Sequence, residues 1–196
     1  MKRILILANS DMGLYKFRKE LVEELLNNYE VFISLPDGNF VKEFTELGCK
    51  FIKTNIDRRG TNPIKDIKLF SLYIKIFKKI KPDIVLTYTI KPNVYGGMAS
   101  RITNTPYLPN VTGLGTALEN EGVIQKITLK LYKIALGKAA CVFFQNNLNR
   151  QVLLDKGVLK SKSKVIPGSG VNVIQHKFED YPPSKGNVKI LFIGRL

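Results

Sequence analysis

Tryptophan is absent from this 196-residue chain, histidine occurs once and cysteine twice. So few imidazoles and thiols exclude a Cys/His metal framework and a disulfide scaffold, and no metal is expected. Cys49 and Cys141 fall in apolar, strand-like runs and read as small core residues of a reducing compartment. Long apolar stretches are missing too. None approaches the ~18 residues of a spanning helix, and the apolar run behind the basic start is too short for a signal sequence. Acidic residues are the last scarcity: 16 Asp and Glu face 31 Lys and Arg, giving a net charge of +15. That excess asks for an anionic partner, whether nucleic acid, a phosphate-bearing substrate or an anionic membrane surface. No base-reading or aromatic-stacking module accompanies the basic residues, so nucleic acid is not expected. The expected location is cytoplasmic, peripheral to the inner face of the cell membrane.

What is present is an alternation of strand and helix patterns. Ile4–Ala8 are continuously apolar, as in a strand buried on both faces. Asn9, Ser10, Asp11 and Gly13 break the run, and helical spacing follows, with Leu14, Phe17, Leu21, Val22 and Leu25 on one face. Further strands are expected at 30–35, 50–54, 83–87, 107–111, 139–145 and 164–167. Helices are expected from a cap at Asn39 to about Leu47, from Pro63 to Ile80, and over 94–103, 124–137 and 147–156. Residues 88–93 read as a loop. The alternation implies an α/β fold, a Rossmann-like parallel sheet with helices on both faces. Residues 1–167 form the domain, the Gly/Pro/Ser/Asn-rich segment 168–187 reads as a linker, and 188–196 restart a strand pattern. A lone strand after a linker suggests the first strand of a second, truncated domain.

In such sheets ligands sit at the carboxyl ends of the strands, beside helix amino termini that favour anions. Asp11, Met12 and Gly13 are therefore expected to form part of a binding site. Lysines mark two helices: Lys65, Lys68, Lys75, Lys78 and Lys79 share one arc of residues 64–81, and Lys126, Lys130 and Lys133 one side of residues 126–138. One reading is a solvated outer face. The other is docking on anionic lipid, where each lysine near the headgroups contributes roughly 1 kcal/mol.

Four stretches carry a family likeness: SDMGLYKFRKEL (10–21), TIKPNVYGGMAS (89–100), NVTGLGTALENEG (110–122) and VIPGSGVN (165–172). Their order and spacing resemble the amino-terminal half of a bacterial two-domain GT-B glycosyltransferase, nearest to glycosyltransferase family four. That family includes enzymes of capsule, O-antigen and lipid-linked glycan assembly. The resemblance implies a nucleotide-sugar donor, UDP-linked, with no other cofactor. It also implies a lipid-linked or membrane-associated glycan acceptor and retaining, metal-independent transfer. A carboxy-terminal donor domain would grip the nucleotide, while this half shapes the acceptor side and by itself would be nearly inactive.

Within that likeness Gly13 lets a donor phosphate or sugar approach the backbone, and Arg195 matches a basic position on the diphosphate. Arginine suits that role because its planar fork holds two phosphate oxygens. Asp11, Lys91, Asn93, Thr112, Gly113 and Glu119 are the acceptor-side candidates. Lys91 would attract a phosphate, and Asn93 would bond sugar hydroxyls or merely cap the helix after Pro92. Many relatives carry a histidine near the strand end where Thr112 stands, and the one histidine here, His176, is in the linker. No catalytic residue is assigned. Lys65, Lys68, Lys75, Lys79, Lys126 and Lys130 are the membrane-docking candidates. The rival reading is a non-catalytic Rossmann-like module that docks on anionic membranes or acidic partners. An epimerase-like enzyme would want a glycine-rich first turn and a well-placed Tyr-x-x-x-Lys pair, which the chain lacks.

Overall fold

The computed structural model describes residues 1–58, 60, 62–115, 122–180, 186 and 190–192. Among them seven strands form one parallel sheet: β1 (Arg3–Leu7), β2 (Glu30–Leu35), β3 (Lys50–Lys53), β4 (Ile84–Tyr88), β5 (Tyr107–Val111), β6 (Val142–Phe144) and β7 (Ser163–Val165). Their order is β3-β2-β1-β4-β5-β6-β7. The helices are α1 (Asp11–Leu26), α2 (Val41–Glu46), α3 (Pro63–Ile80), α4 (Gly97–Thr103), α5 (Val123–Leu136) and α6 (Asn147–Asp155). The reversal of direction at β1 and β4 is the switch point of a Rossmann-like sheet, where a crevice opens at the carboxyl ends of the strands.

β1 shows why its sequence is apolar without alternation. Ile4 and Ile6 pack with Leu14 and Val22 of α1 and Phe44 of α2. Leu5 and Leu7 face the other way, onto Leu69, Tyr73, Ile76 and Phe77 of α3. Both faces are covered, so every position is apolar. Asn62 caps α3 by accepting from the Ile64 and Lys65 amides at 2.9 and 3.3 Å, with Pro63 in the first turn.

Several boundaries differ from the sequence expectation, each for a local reason. The buried stripe of α1 is Leu14, Arg18 and Val22, while Phe17 and Leu21 are 60% and 39% exposed. Ile67 of α3, expected inside, is 63% exposed. The N-cap of α2 is Phe40, not Asn39; no side chain caps the helix, and Asp11 Oδ2 instead holds the Phe40 amide at 3.0 Å. β6 is shorter than 139–145, because Ala139 and Ala140 are still turning out of α5.

The largest difference follows β4. Residues 88–93 are not a loop: helix begins at Ile90 and passes through one π turn, Pro92–Gly96, into α4. Gly96 and Gly97 permit the close approach. A Cβ on Gly96 would lie 2.7 Å from Leu7 Cδ1, and one on Gly97 would meet the Tyr107 ring at 2.9 Å.

Residues 168–180 lie outside regular structure and are exposed from Ser169 on, touching α1 where Asn172 Nδ2 donates to Glu20 Oε1 at 3.5 Å. Of the terminal strand pattern, only Ile190, Leu191 and Phe192 are described; they are exposed and in no strand. Val188, Lys189 and 193–196, Arg195 included, lie outside the described residues.

Candidate functional site

Each crossover returns the chain so that the carboxyl ends of all the parallel strands share one edge, and α1 starts on that rim. Ser10 is its N-cap, in extended conformation, with Oγ accepting the Gly13 amide at 3.2 Å. The first-turn N–H groups of a helix have no acceptor within it, so this end carries partial positive charge. Asp11 ties the turn to the β2–α2 connection: besides holding Phe40 N, its carboxylate lies where a Cβ on Gly38 would approach within 2.2 Å. A Cβ on Gly13 would meet only Ser10, at 3.5 Å. Space above Gly13 is therefore open, and the protein itself does not require the missing side chain.

Beyond β5 the rim continues with half-buried Thr112 and with Gly113, whose added Cβ would meet nothing within 4 Å. Gly115 differs. Its φ is +69°, and a Cβ would fall 2.6 Å from Ile90 Cδ1, so the fold requires this glycine. Glu119, with Glu121, lies outside the described residues.

Asn93 and Lys91 are engaged within the fold. Thr87 Oγ1 donates to Asn93 Oδ1 at 2.6 Å, and Asn93 Nδ2 donates to the Asn110 carbonyl at 3.1 Å. The buried Tyr107 hydroxyl donates to the Asn93 carbonyl. Asn93 thus clamps the π turn to β4 and β5 and does not cap a helix. Lys91 Nζ meets Asp66 Oδ1 at 2.6 Å, both side chains being under 20% exposed, which fastens the start of the helix to α3.

The lysines expected to dock lie on the outside of α3 and α5, exposed. Lys65 pairs with Asp57 at 3.0 Å, and Lys65 and Lys68 border a cavity of about 660 Å³ between the end of β3 and α3. Apolar side chains stand bare among them: Ile64 and Ile67 on α3, and Val123, Ile124 and Ile127 on α5. His176 is exposed in the segment after β7.

The sequence reading missed four rim residues. Arg18 is buried under the rim with its guanidinium 5.0 Å from the centre of the Tyr88 ring. Burial pushes the Tyr88 phenol above its ordinary range, and Arg18 partly offsets this. Thr89, at φ 73°, and Asn110 each keep a buried side-chain oxygen without a hydrogen bond. The available signal was Arg18 itself, a charge four residues from both Leu14 and Val22 on the buried stripe. Among the described residues no group of three His, Cys, Asp or Glu side chains converges.

Comparison with known proteins gives this rim its context. The chain is 27% identical over 177 residues to N,N'-diacetylbacillosaminyl-diphospho-undecaprenol alpha-1,3-N-acetylgalactosaminyltransferase of Campylobacter jejuni, covering 87% of this chain and 47% of that one. It therefore spans about half the length of that relative. A crystal structure of a glycosyltransferase from Rickettsia africae superposes with a TM-score of 0.65 at 23% identity, over 90% of this chain and 45% of the other. Anabaena HepE, solved with UDP and glucose, gives 0.64 at 17% identity, over 91% of this chain and 47% of its own. These two likenesses establish the fold. The model of the glycosyl transferase 4-like family matches residues 3–146, and the chain belongs to that family.

Proposed function

We propose that this chain is the acceptor-side half of a GT-B glycosyltransferase that moves a sugar from a UDP-linked donor to a lipid-linked glycan. The reaction is read as retaining and metal-independent. The observation that carries the proposal is the open rim: the amino terminus of α1 with bare Gly13 follows β1 at the switch point of the sheet, and bare Gly113 follows β5 on the same carboxyl edge. Family membership and the undecaprenol-linked compound in the name of the Campylobacter relative support it.

In the reaction an acceptor hydroxyl oxygen bonds to the anomeric carbon, while the bond from that carbon to the donor diphosphate breaks and the diphosphate leaves with the electron pair. Oriented N–H dipoles stabilise developing negative charge without having to reorganise, and the amino terminus of α1 offers such dipoles. The grip on the nucleotide falls to a second lobe, Arg195 being its nearest candidate in this chain. The half-length match to the relatives supports that division. The exposed Ile–Lys turns of α3 and α5 support membrane association as part of this reading, because they present apolar and cationic groups together as an interfacial surface does.

The test is transfer by the full gene product from a panel of radiolabelled UDP-sugars to a polyprenyl-diphosphate-linked acceptor in vesicles. The anomeric configuration of the product is read by NMR, and EDTA is added in parallel. A lipid-linked product with donor configuration, formed equally with EDTA, is expected. Absence of transfer across the panel would overturn the reading.

A further inference from the structure

The buried stripe of α1 contains one side chain that the core does not explain. Arg18 is 8% exposed. Its Nη1 donates to the Phe17 carbonyl at 2.6 Å, and its guanidinium lies over Tyr88, 5.0 Å from the ring centre, where it also interacts with the phenol. No carboxylate of the described residues comes within 4.0 Å of it. Arginine does not shed its proton in proteins, so burial without a counter-charge is unfavourable. A structural arginine at such a site has an acidic partner. This one has a ring beneath it and donors left over.

Its direction matters. Helical side chains lean toward the amino terminus of their helix, and α1 begins at the ligand-facing edge of the sheet. Arg18 accordingly ends over the last residue of β4. Asn110 is the register partner of Tyr88, so its side chain projects to the same face of the sheet. Its buried Oδ1 has no hydrogen bond, and neither has the buried Oγ1 of Thr89, the next residue after Tyr88. Thr89 also holds φ at 73°, which is strained for a β-branched residue. A charge without a counter-charge lies over the last residue of β4, and two orphaned oxygens and a strained backbone belong to residues at the ends of β4 and β5.

We propose that Arg18 is a phosphate-binding residue of the cleft. Its guanidinium, braced by Tyr88, forks onto two oxygens of one phosphoryl group, and the Asn110 and Thr89 oxygens receive hydroxyls beside it. The identity of the phosphate's carrier rests on the function proposed above. It is either the diphosphate of the lipid-linked acceptor or that of the nucleotide donor.

The experiment titrates the 15N-labelled chain with inorganic pyrophosphate, farnesyl diphosphate and UDP while following the arginine Nε–Hε resonances. Arg18 is assigned by comparison with Arg18→Lys and Arg18→Met. A saturable shift of the Arg18 signal is expected, with affinity at least about tenfold weaker in Arg18→Lys, which keeps the charge and loses the fork. Response to farnesyl diphosphate and not UDP assigns the acceptor as carrier, and the reverse assigns the donor; either supports the site. A silent Arg18 resonance at concentrations that saturate other signals overturns it, and so does unchanged affinity in a folded variant. Should Arg18→Met fail to fold, the wild-type titration and Arg18→Lys decide. In the full gene product the corresponding readout is a raised KM for one substrate. Sugar transfer with KM and kcat intact in folded Arg18→Met refutes this inference and leaves the transferase reading standing. Arg18-dependent pyrophosphate binding without any transfer does the opposite.

Discussion

Replacing Asn93 by alanine isolates what holds the rim together. The substitution leaves the Thr87 hydroxyl and the Asn110 carbonyl without their partners at 2.6 and 3.1 Å. Thr87 is fully buried and Asn110 nearly so. A buried group deprived of its partner costs about 1–3 kcal/mol, so two cost roughly 2–6 kcal/mol. For a domain of this size that lowers Tm by about 4–24 °C, and with a urea slope of ~2 kcal/mol/M it moves the midpoint by about 1–3 M. Circular dichroism during thermal and urea unfolding reads both. The double variant Thr87→Val with Asn93→Leu is expected to cost less than the sum of the two singles, because it removes donor and acceptor together. A shift under about 2 °C for Asn93→Ala, or strict additivity in the double variant, would refute the clamp and return Asn93 to the ligand-facing candidates.

Gly97→Ala places a methyl 2.9 Å from two ring carbons and the hydroxyl oxygen of Tyr107 and is expected to cost about 1–3 kcal/mol. Gly113→Ala meets open space and should stay within ~0.5 kcal/mol; equal melting curves for the two would contradict the packing argument. Burial pushes the Cys49 thiol up to about 11. Native protein alkylated at pH 8 should carry label on half-buried Cys141 and gain it on Cys49 only in urea, as peptide mass spectrometry can read. Lys50, then Arg3, hold the Glu30 carboxyl below its ordinary range. A depressed folded-state value adds stability above the unfolded pKa and loses it as pH falls through the folded one. The Tm gap between wild type and Glu30→Gln should therefore be present at pH 7 and close below about pH 4; a constant gap would exclude the pair as its cause. Ile67→Asp combined with Ile124→Asp should reduce sedimentation with vesicles containing phosphatidylglycerol at unchanged Tm, and undiminished sedimentation would remove these turns from the docking surface.

The sheet was legible because β1 and its neighbours announce themselves by apolar runs, and Asn62–Pro63 and Gly48 mark helix ends with ordinary chemistry. The π turn was not. Pro92 and Asn93 look like a loop and a cap, and only the tertiary bonds from Thr87, Asn110 and Tyr107 make a helix of them. Arg18 escaped for a related reason. A pattern of apolar positions favours Phe17 and Leu21 for the buried stripe, whereas the structure places a guanidinium there and leaves both apolar residues exposed. Where local preference loses to tertiary context, function or strain is the usual cause, and both failures fall at the ends of β4 and β5. Asp11, Gly13, Thr112 and Gly113 were legible as rim residues because position at a strand end needs no side-chain geometry.

The same topology relates the rim to the lysine-bearing helices. A helix that follows a parallel strand starts at that strand's carboxyl end, so the first turns of α3 and α5 stand at the edge where β1, β4 and β5 open. The bare side chains Ile64, Ile67, Val123, Ile124 and Ile127 cluster in those first turns, whereas Lys75, Lys78 and Lys79 lie at the far end of α3. Exposed apolar residues and lysines thus stand together at the cleft end of the molecule, while at the opposite end Ile102 and Ile134 are exposed as well. Under the proposed function, a membrane held there would lie beside the rim. The lipid-linked acceptor proposed above would then need only to lift its headgroup from the bilayer to reach the strand ends, while its tail stayed in the lipid.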